Sequence, residues 1–161
     1  MYYFRKTVPD GVPKKLIIFE YTTTFKCCIY VKMLNHLIFS IIYLTLDIIW
    51  LSSMTGGFYR PKFEKIQQTV LRFRIGYACV AYFLLLATLF FICIPLTKQY
   101  PKQNTSLVFS FVGLCIYGIY NATNGAVLSN YGIDMCLIDT LWGCFSFAIM
   151  GYIYKIIYKS R

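Results

Sequence analysis

Charged residues are scarce in this 161-residue chain: Asp, Glu, Lys and Arg make up 14% of it, and only 6 residues are acidic. A soluble domain of ordinary composition has about a quarter charged residues and about half apolar ones. Here the hydrophobic share is 58%, which is more apolar side chain than one soluble core of this length would bury. The shortage of charge excludes an ordinary soluble domain and indicates a bilayer as the solvent.

Histidine and paired cysteine motifs are also nearly missing. The chain has 1 histidine, His36, and 7 cysteines, none of which form a Cys-x-x-Cys pair. This spacing does not fit a zinc site, and the odd count does not fit a disulfide framework, so we expect no metal and no cofactor. Because the sequence offers no nucleophile–base pair, an enzyme is the least favoured class of function.

Long apolar runs are what the chain has in abundance. Four of them reach the roughly 20 residues that a helix needs to cross a bilayer; they cover residues 34–54, 75–96, 106–128 and 135–157. The predicted fold is all-α, an integral membrane four-helix up-down bundle over residues 34–157. Residues 1–33 are basic and rich in turn residues, and they are predicted to form a separate extension that is disordered or interfacial.

The excess of positive charge lies mainly outside the apolar runs. The net charge is +10, yet no basic stripe alternates with aromatic stacking residues, so nucleic-acid binding is not expected. The pattern fits membrane topology and attraction to anionic lipid, which makes membrane lipids the expected partners. Counting the basic extension, the positive-inside rule predicts that both termini are cytosolic. A four-helix bundle is narrow, and a homo-oligomer is one prediction for its assembly.

The stretch between the first two apolar runs is basic, and its residues Phe63, Ile66, Val70 and Phe73 recur at helical spacing. This pattern is typical of an amphipathic helix that lies along the lipid headgroups. A solvated basic loop is the alternative. In both cases the first spanning helix is predicted to end near Met54.

Polar side chains interrupt three of the four runs at one depth. At 1.5 Å per residue, Asp47 lies about 10 Å inside the end of the first helix. Asn121 and Asn124 lie about 10 and 6 Å from the end of the third helix, and Asp139 about 6 Å from the start of the fourth. Up-down connections bring these helix ends to the same side of the membrane, so the four residues are predicted to share a level.

The faces of the helices support this cluster. Tyr117 shares a face with Asn121, and Trp142 follows Asp139 by three positions. Helical side chains lean toward the N-terminus, so the Trp142 indole can cover the acid below it and donate its N–H to the carboxylate. Trp50 occurs in the same Asp-x-x-Trp arrangement but is better explained as part of an interfacial aromatic belt.

A second feature beside the polar face of the third helix is a line of small residues, Gly118, Ala122, Gly125 and Ser129. Small residues let two helices approach closely within a membrane. This line therefore predicts a close approach between the third helix and a neighbouring helix.

Three functions are compatible with the cluster. Intramembrane acids often mark the path of a proton, a cation or a polar ligand, and binding or conducting such a ligand is the leading hypothesis. The alternative is a structural membrane component in which the acids only link helices through hydrogen bonds. The third is a membrane-embedded enzyme that acts on lipid with two carboxylates of unequal acidity. The candidate site residues are Asp47, Tyr117, Asn121, Asn124, Asp139 and Trp142.

The segments "LTLDIIWL", "GGFYRPKF" and "IYGIYNATNGAVLSNYGIDMCLIDTLWG" resemble a family of predicted membrane proteins of unknown function (domain of unknown function two-one-seven-seven). The resemblance covers residues 34–157 and implies four spanning helices, without implying an activity. The matching residues are Asp47, Trp50, Tyr59, Tyr120, Thr123, Asn124, Asp139, Trp142 and Gly143. The chain departs from the family pattern at Asn121, where the pattern usually has Asp.

Overall fold

The structure is a computed structural model that describes the backbone from Lys14 to Lys159 and the side chains from Ile29 to Tyr158. The chain divides into two compact units, Met1–Leu37 and Ile38–Arg161. In the first unit the described backbone is helical from Lys14 onward. Residues 1–13 of the predicted extension lie outside the described residues, and the extension as a separate domain stays a prediction.

The described chain is entirely helical between its loops. Its elements are α1 (Lys14–Met54), α2 (Arg60–Gln67), α3 (Ile75–Thr88), α4 (Ile94–Gln99), α5 (Thr105–Val127) and α6 (Ile133–Tyr154), with π-helical turns at Thr55–Tyr59, Leu89–Cys93 and Lys155–Lys159. Four helices are long and apolar enough to cross a membrane: Ile29–Gln67, Ile75–Gln99, Thr105–Val127 and Ile133–Tyr158. The predicted all-α architecture with four spans is confirmed.

The first span is longer than predicted. It continues past Met54 through the π-helical turn into α2 and ends at Gln67, where Gln68 adopts a left-handed φ of 55°. Gly56, Gly57 and Pro61 favoured an end near Met54. The wider π-helical turn ends at Tyr59, two residues before Pro61. It relieves the conflict, because a proline lacks the N–H of an α-helical bond and crowds the carbonyl four residues earlier.

The second span contains the same arrangement, because its π-helical turn Leu89–Cys93 ends two residues before Pro95. The predicted amphipathic helix between the first two spans forms only in its first half. Phe63 lies in α2, whereas Val70 and Phe73 follow the helix end and are strongly exposed.

Contacts between α6 and the first span run in opposite chain order, which makes the two helices antiparallel. Tyr59 contacts Asp139, and Trp142 reaches back to Asp47. Further along, the Tyr43 ring lies 5.8 Å from that of Phe147, and the Phe39 ring 6.0 Å from that of Tyr158. These pairs form one continuous seam, and its polar part lies toward the start of α6.

The core of the unit Ile38–Arg161 is formed by aromatic and aliphatic side chains from all four spans. Its fully buried members include Phe39, Leu89, Phe109, Phe147 and Met150. By contrast, no residue of α3 is buried. The apolar faces of the spans that stay exposed contact lipid.

The closest approach of two helices joins α5 to α6, as the short link between them predicts. A Cβ atom added at Gly113 would overlap the carbonyl oxygen of Gly143 and lie 2.8 Å from the Cβ of Phe147. Along the predicted line of small residues the approach is less close: a Cβ added at Gly118 would meet Thr140 of α6 at an ordinary 3.7 Å, and one added at Gly125 would meet Tyr131 at 3.9 Å. The tightest contact of α5 with α6 therefore includes Gly113, which lies outside that line.

Candidate functional site

Asn121 is the centre of a hydrogen-bond network at the α5–α6 end of the bundle. Its side chain is fully buried. The side-chain amide nitrogen donates to the backbone carbonyl of Tyr117 at 2.8 Å and to Oδ2 of Asp139 at 2.9 Å. Its oxygen accepts a hydrogen bond of 2.5 Å from the hydroxyl of Tyr131. Every donor and acceptor of this amide side chain therefore has a partner.

Asp139 accepts hydrogen bonds on both oxygens. Asn121 donates to Oδ2, and the Tyr59 hydroxyl donates to Oδ1 at 3.2 Å. These two donors come from α5 and from the π-helical turn after α1, so one carboxylate joins three segments of the bundle.

Tyr131 lies in the link between α5 and α6, outside the spanning helices. Burial raises the pKa of the Tyr131 hydroxyl to about 12. It therefore keeps its proton at physiological pH and can donate to Asn121. Asn124, a predicted member of the cluster, lies beside Tyr131 and is half-buried; it makes no hydrogen bond to either acid within the described residues.

Asp47 forms the deeper part of the site and is 5% exposed. The indole N–H of Trp142 donates to its Oδ1 at 2.8 Å, and the hydroxyl of Tyr82 approaches the same carboxylate from α3. The sequence predicts that Trp142 donates to Asp139, its neighbour on the same helix. That pairing is wrong because Asn121 and Tyr59 already occupy the oxygens of Asp139, and the indole crosses to the first span instead.

Two tryptophans pack against each other in this part of the site. The rings of Trp50 and Trp142 are stacked, with centroids 4.3 Å apart and planes inclined by 2°. The Trp50 indole nitrogen is buried close to the Tyr59 hydroxyl, yet no hydrogen bond of normal geometry forms there. Trp50 thus belongs to the site by stacking rather than by donating to an acid.

Tyr117 lies near both acids. Its hydroxyl is 3.5 Å from that of Tyr43, and both Asp47 and Asp139 are close enough to act on it electrostatically. Its ring occupies the space that a side chain at residue 143 would need. Gly143 therefore leaves room for a tyrosine beside the cluster.

Among residues 29–158, no Lys, Arg or His makes an ion pair with Asp47 or Asp139. Lys62, on α2, pairs with Asp134 and lies over the ring of Phe58. The described residues contain no group of three His, Cys, Asp or Glu side chains suited to a metal ion.

Sequence reasoning missed three tyrosines that complete the site. Tyr59 falls beyond the predicted end of the first helix, and its only signal was its place in the family resemblance. Tyr131 lies in a link that was treated as a simple turn. Tyr82 had no signal beyond one hydroxyl in an apolar run, because a lone tyrosine in a span is common.

The stacked tryptophans provide a matched test of the Asp47 contact. Trp142→Phe removes the only indole N–H bonded to Asp47 within the described residues. We expect a loss of about 1.5–3 kcal/mol in the free energy of unfolding, the range for a hydrogen bond to a charged group. Trp50→Phe makes the same change of ring but removes no hydrogen bond to Asp47. Its loss in the free energy of unfolding should therefore be clearly smaller. Denaturant titration of the purified protein in detergent micelles measures both, and equal losses would show that stacking dominates.

Comparison with known proteins gives one match. The model of a protein family described as a predicted membrane protein, DUF2177, matches residues 32–155. No curated protein and no solved structure matches the chain. With four spans in the structure, this match identifies an integral multi-pass membrane protein; the orientation of its termini stays a prediction.

Proposed function

The chain belongs to the DUF2177 family of predicted membrane proteins, and from this premise we propose that it binds a small positively charged ligand, a proton or a small cation, at Asp47 and Asp139. One observation carries the proposal. Two carboxylates lie within the spans, and within the described residues only neutral groups donate to them, namely Trp142, Asn121 and Tyr59.

The energetic argument concerns the charge that these donors leave uncompensated. A carboxylate within a bilayer costs roughly 2.5–3.5 kcal/mol on insertion scales, and two neighbouring carboxylates also repel each other. Neutral hydrogen bonds offset part of this cost but leave the negative charge in place. A proton or a small cation bound at Asp47 and Asp139 would supply the missing positive charge.

A structural role is the alternative, and specific contacts favour it. The bonds from Trp142 to Asp47 and from Tyr59 to Asp139 each join separate spans. Substitution by asparagine separates the two roles. The asparagine oxygen can still accept from Trp142 or Asn121 and hold the helices together, whereas the negative charge is lost.

The test compares Asp47→Asn and Asp139→Asn with the wild type in nanodiscs. Infrared difference spectra are recorded while the pH is lowered and, separately, while sodium or tetramethylammonium is added. We expect the folded yield of both variants to stay within about twofold of the wild type. We also expect each variant to lose one carboxylate band that responds to the ligand.

Asp134→Asn is the control, because Asp134 is an exposed acid in a surface ion pair with Lys62. It should retain both responsive bands. If the wild type shows no response of these bands to protons or to cations, the acids are structural and the proposal fails.

A further inference from the structure

The hydrogen bonds around Asn121 can run in only one direction. The backbone carbonyl of Tyr117 can accept but not donate, so the group 2.8 Å from it must be the amide NH2. The amide oxygen therefore faces Tyr131, which has to donate. The second hydrogen of the amide is then directed at Oδ2 of Asp139. This fixes Oδ2 as an acceptor in every protonation state of the carboxyl group.

Oδ1 of Asp139 is different, because its partner is a hydroxyl. The Tyr59 hydroxyl, 3.2 Å away, can donate to a carboxylate or accept from a protonated carboxyl group. A proton can thus be placed on Oδ1 by reversing one hydroxyl, without moving any heavy atom. The carboxyl group has one fixed oxygen and one switchable oxygen.

We infer that the ligand of the Asp139 half of the site is a proton, that it binds on Oδ1, and that Tyr59 is its positioning residue. This inference rests on the proposed function and specifies its ligand. In the uptake step the Tyr59 oxygen gains a proton from a hydronium ion while its own hydroxyl proton passes to Oδ1. Two O–H bonds break, one in the hydronium ion and one in Tyr59, and two form, one on Tyr59 and one on Oδ1. The hydronium ion becomes water, Tyr59 stays neutral, and the charge on Asp139 is cancelled.

A larger cation fits this carboxylate poorly. Asn121 and Tyr59 each occupy one lone pair on their oxygen, so a metal ion or ammonium group would have to bind through the two lone pairs that remain of about four or displace one of these donors. Displacing Asn121 would also break its bonds to Tyr117 and Tyr131. A proton requires none of these changes.

The titratable and charged groups around Asp139 come from every neighbouring segment. They are Tyr59 and Asp47 from the first span, Tyr117 from α5, Tyr131 from the link, and the Lys62–Asp134 ion pair at the start of α6. Asp47 is the other carboxylate that acts on Asp139, so its own band must be identified separately with Asp47→Asn.

The experiment follows the protonated carboxyl band of Asp139, defined as the infrared C=O band that appears on acidification and is missing in Asp139→Asn. In Tyr59→Phe we expect this band to move to higher wavenumber, because the carboxyl O–H loses its acceptor. Tyr131→Phe is the matched control. It removes a hydroxyl that contacts Asn121 and Asn124 but makes no hydrogen bond to Asp139 within the described residues, and it should leave the band near its wild-type position.

A second readout needs no change at Tyr59. In the wild type, tyrosine ring modes should change together with the Asp139 band as Tyr59 turns from donor to acceptor, and Asp139→Asn should lack both signals.

An unmoved band in Tyr59→Phe, or a wild-type Asp139 band without a tyrosine signal, overturns the assignment to Oδ1 and leaves the proposed function standing. A response to sodium or tetramethylammonium without a response to acid makes the ligand a cation instead. If neither is seen, both proposals fail.

Discussion

Replacing Asn121 by leucine is expected to lower the free energy of unfolding by about 3 kcal/mol or more. Leucine has the same branching as asparagine and a larger volume, so no cavity forms; the loss would come from polar groups left without partners, together with some overpacking. Oδ2 of Asp139 loses its donor, and the Tyr131 hydroxyl loses its acceptor. A buried polar group left without a partner costs about 1–3 kcal/mol, and more when it is charged. Denaturant titration in detergent micelles measures the change.

Asn124→Leu is the matched control, since Asn124 lies one turn further along the same helix and is half-buried. It makes no hydrogen bond to Asp139 within the described residues, and its loss should cost less than about 1 kcal/mol. Similar costs for the two variants would mean that the network around Asn121 contributes little to stability. The comparison therefore isolates the amide that fixes the geometry of the acid.

The level of the site in the membrane could be predicted from the sequence because helical rise is regular. Once four spans and short links were recognised, the depths of Asp47, Asn121 and Asp139 followed from counting residues. The structure brings these three residues into one cluster. The same reasoning placed Asn124 at this level, but its side chain reaches Tyr131 rather than an acid.

The hydrogen-bond partners of these residues could not be predicted from the sequence, because they depend on how each helix is rotated about its axis. Trp142 and Asp139 are three positions apart, and their pairing used only the geometry of one helix. In the structure Asp139 is bonded from two other segments, and Trp142 turns to Asp47. Sequence spacing describes contacts within a helix, and this site consists mainly of contacts between helices.

Tyr59 shows a second limit of sequence reasoning. Two glycines and a proline normally mark the end of a helix, yet the π-helical turn Thr55–Tyr59 carries the first span through them. This continuation brings the Tyr59 hydroxyl to Asp139. Because of this irregular turn, Tyr59 could not be assigned to the site from the sequence. The same turn places Tyr59 in the site.

Gly113→Ala is expected to have the second large effect, a loss of about 3 kcal/mol. Adding one methyl group to a well-packed core usually costs about 1–3 kcal/mol. Here the added Cβ would overlap the Gly143 carbonyl oxygen and lie 2.8 Å from both Cβ and Cγ of Phe147. Because a backbone atom cannot rotate away, α5 and α6 would have to separate. Denaturant titration in detergent micelles measures the loss.

Gly118→Ala on the same helix should have the opposite sign. Its added Cβ would meet only Thr140, at 3.7 Å, and alanine in a helix is favoured over glycine by about 0.5–1 kcal/mol. A loss of stability at both positions would contradict the close contact assigned to Gly113. Gly113 lies about 12 Å along α5 from Asn121. If separation of the helices spreads that far, Gly113→Ala will also shift the carboxyl band of Asp139, whereas Gly118→Ala will not.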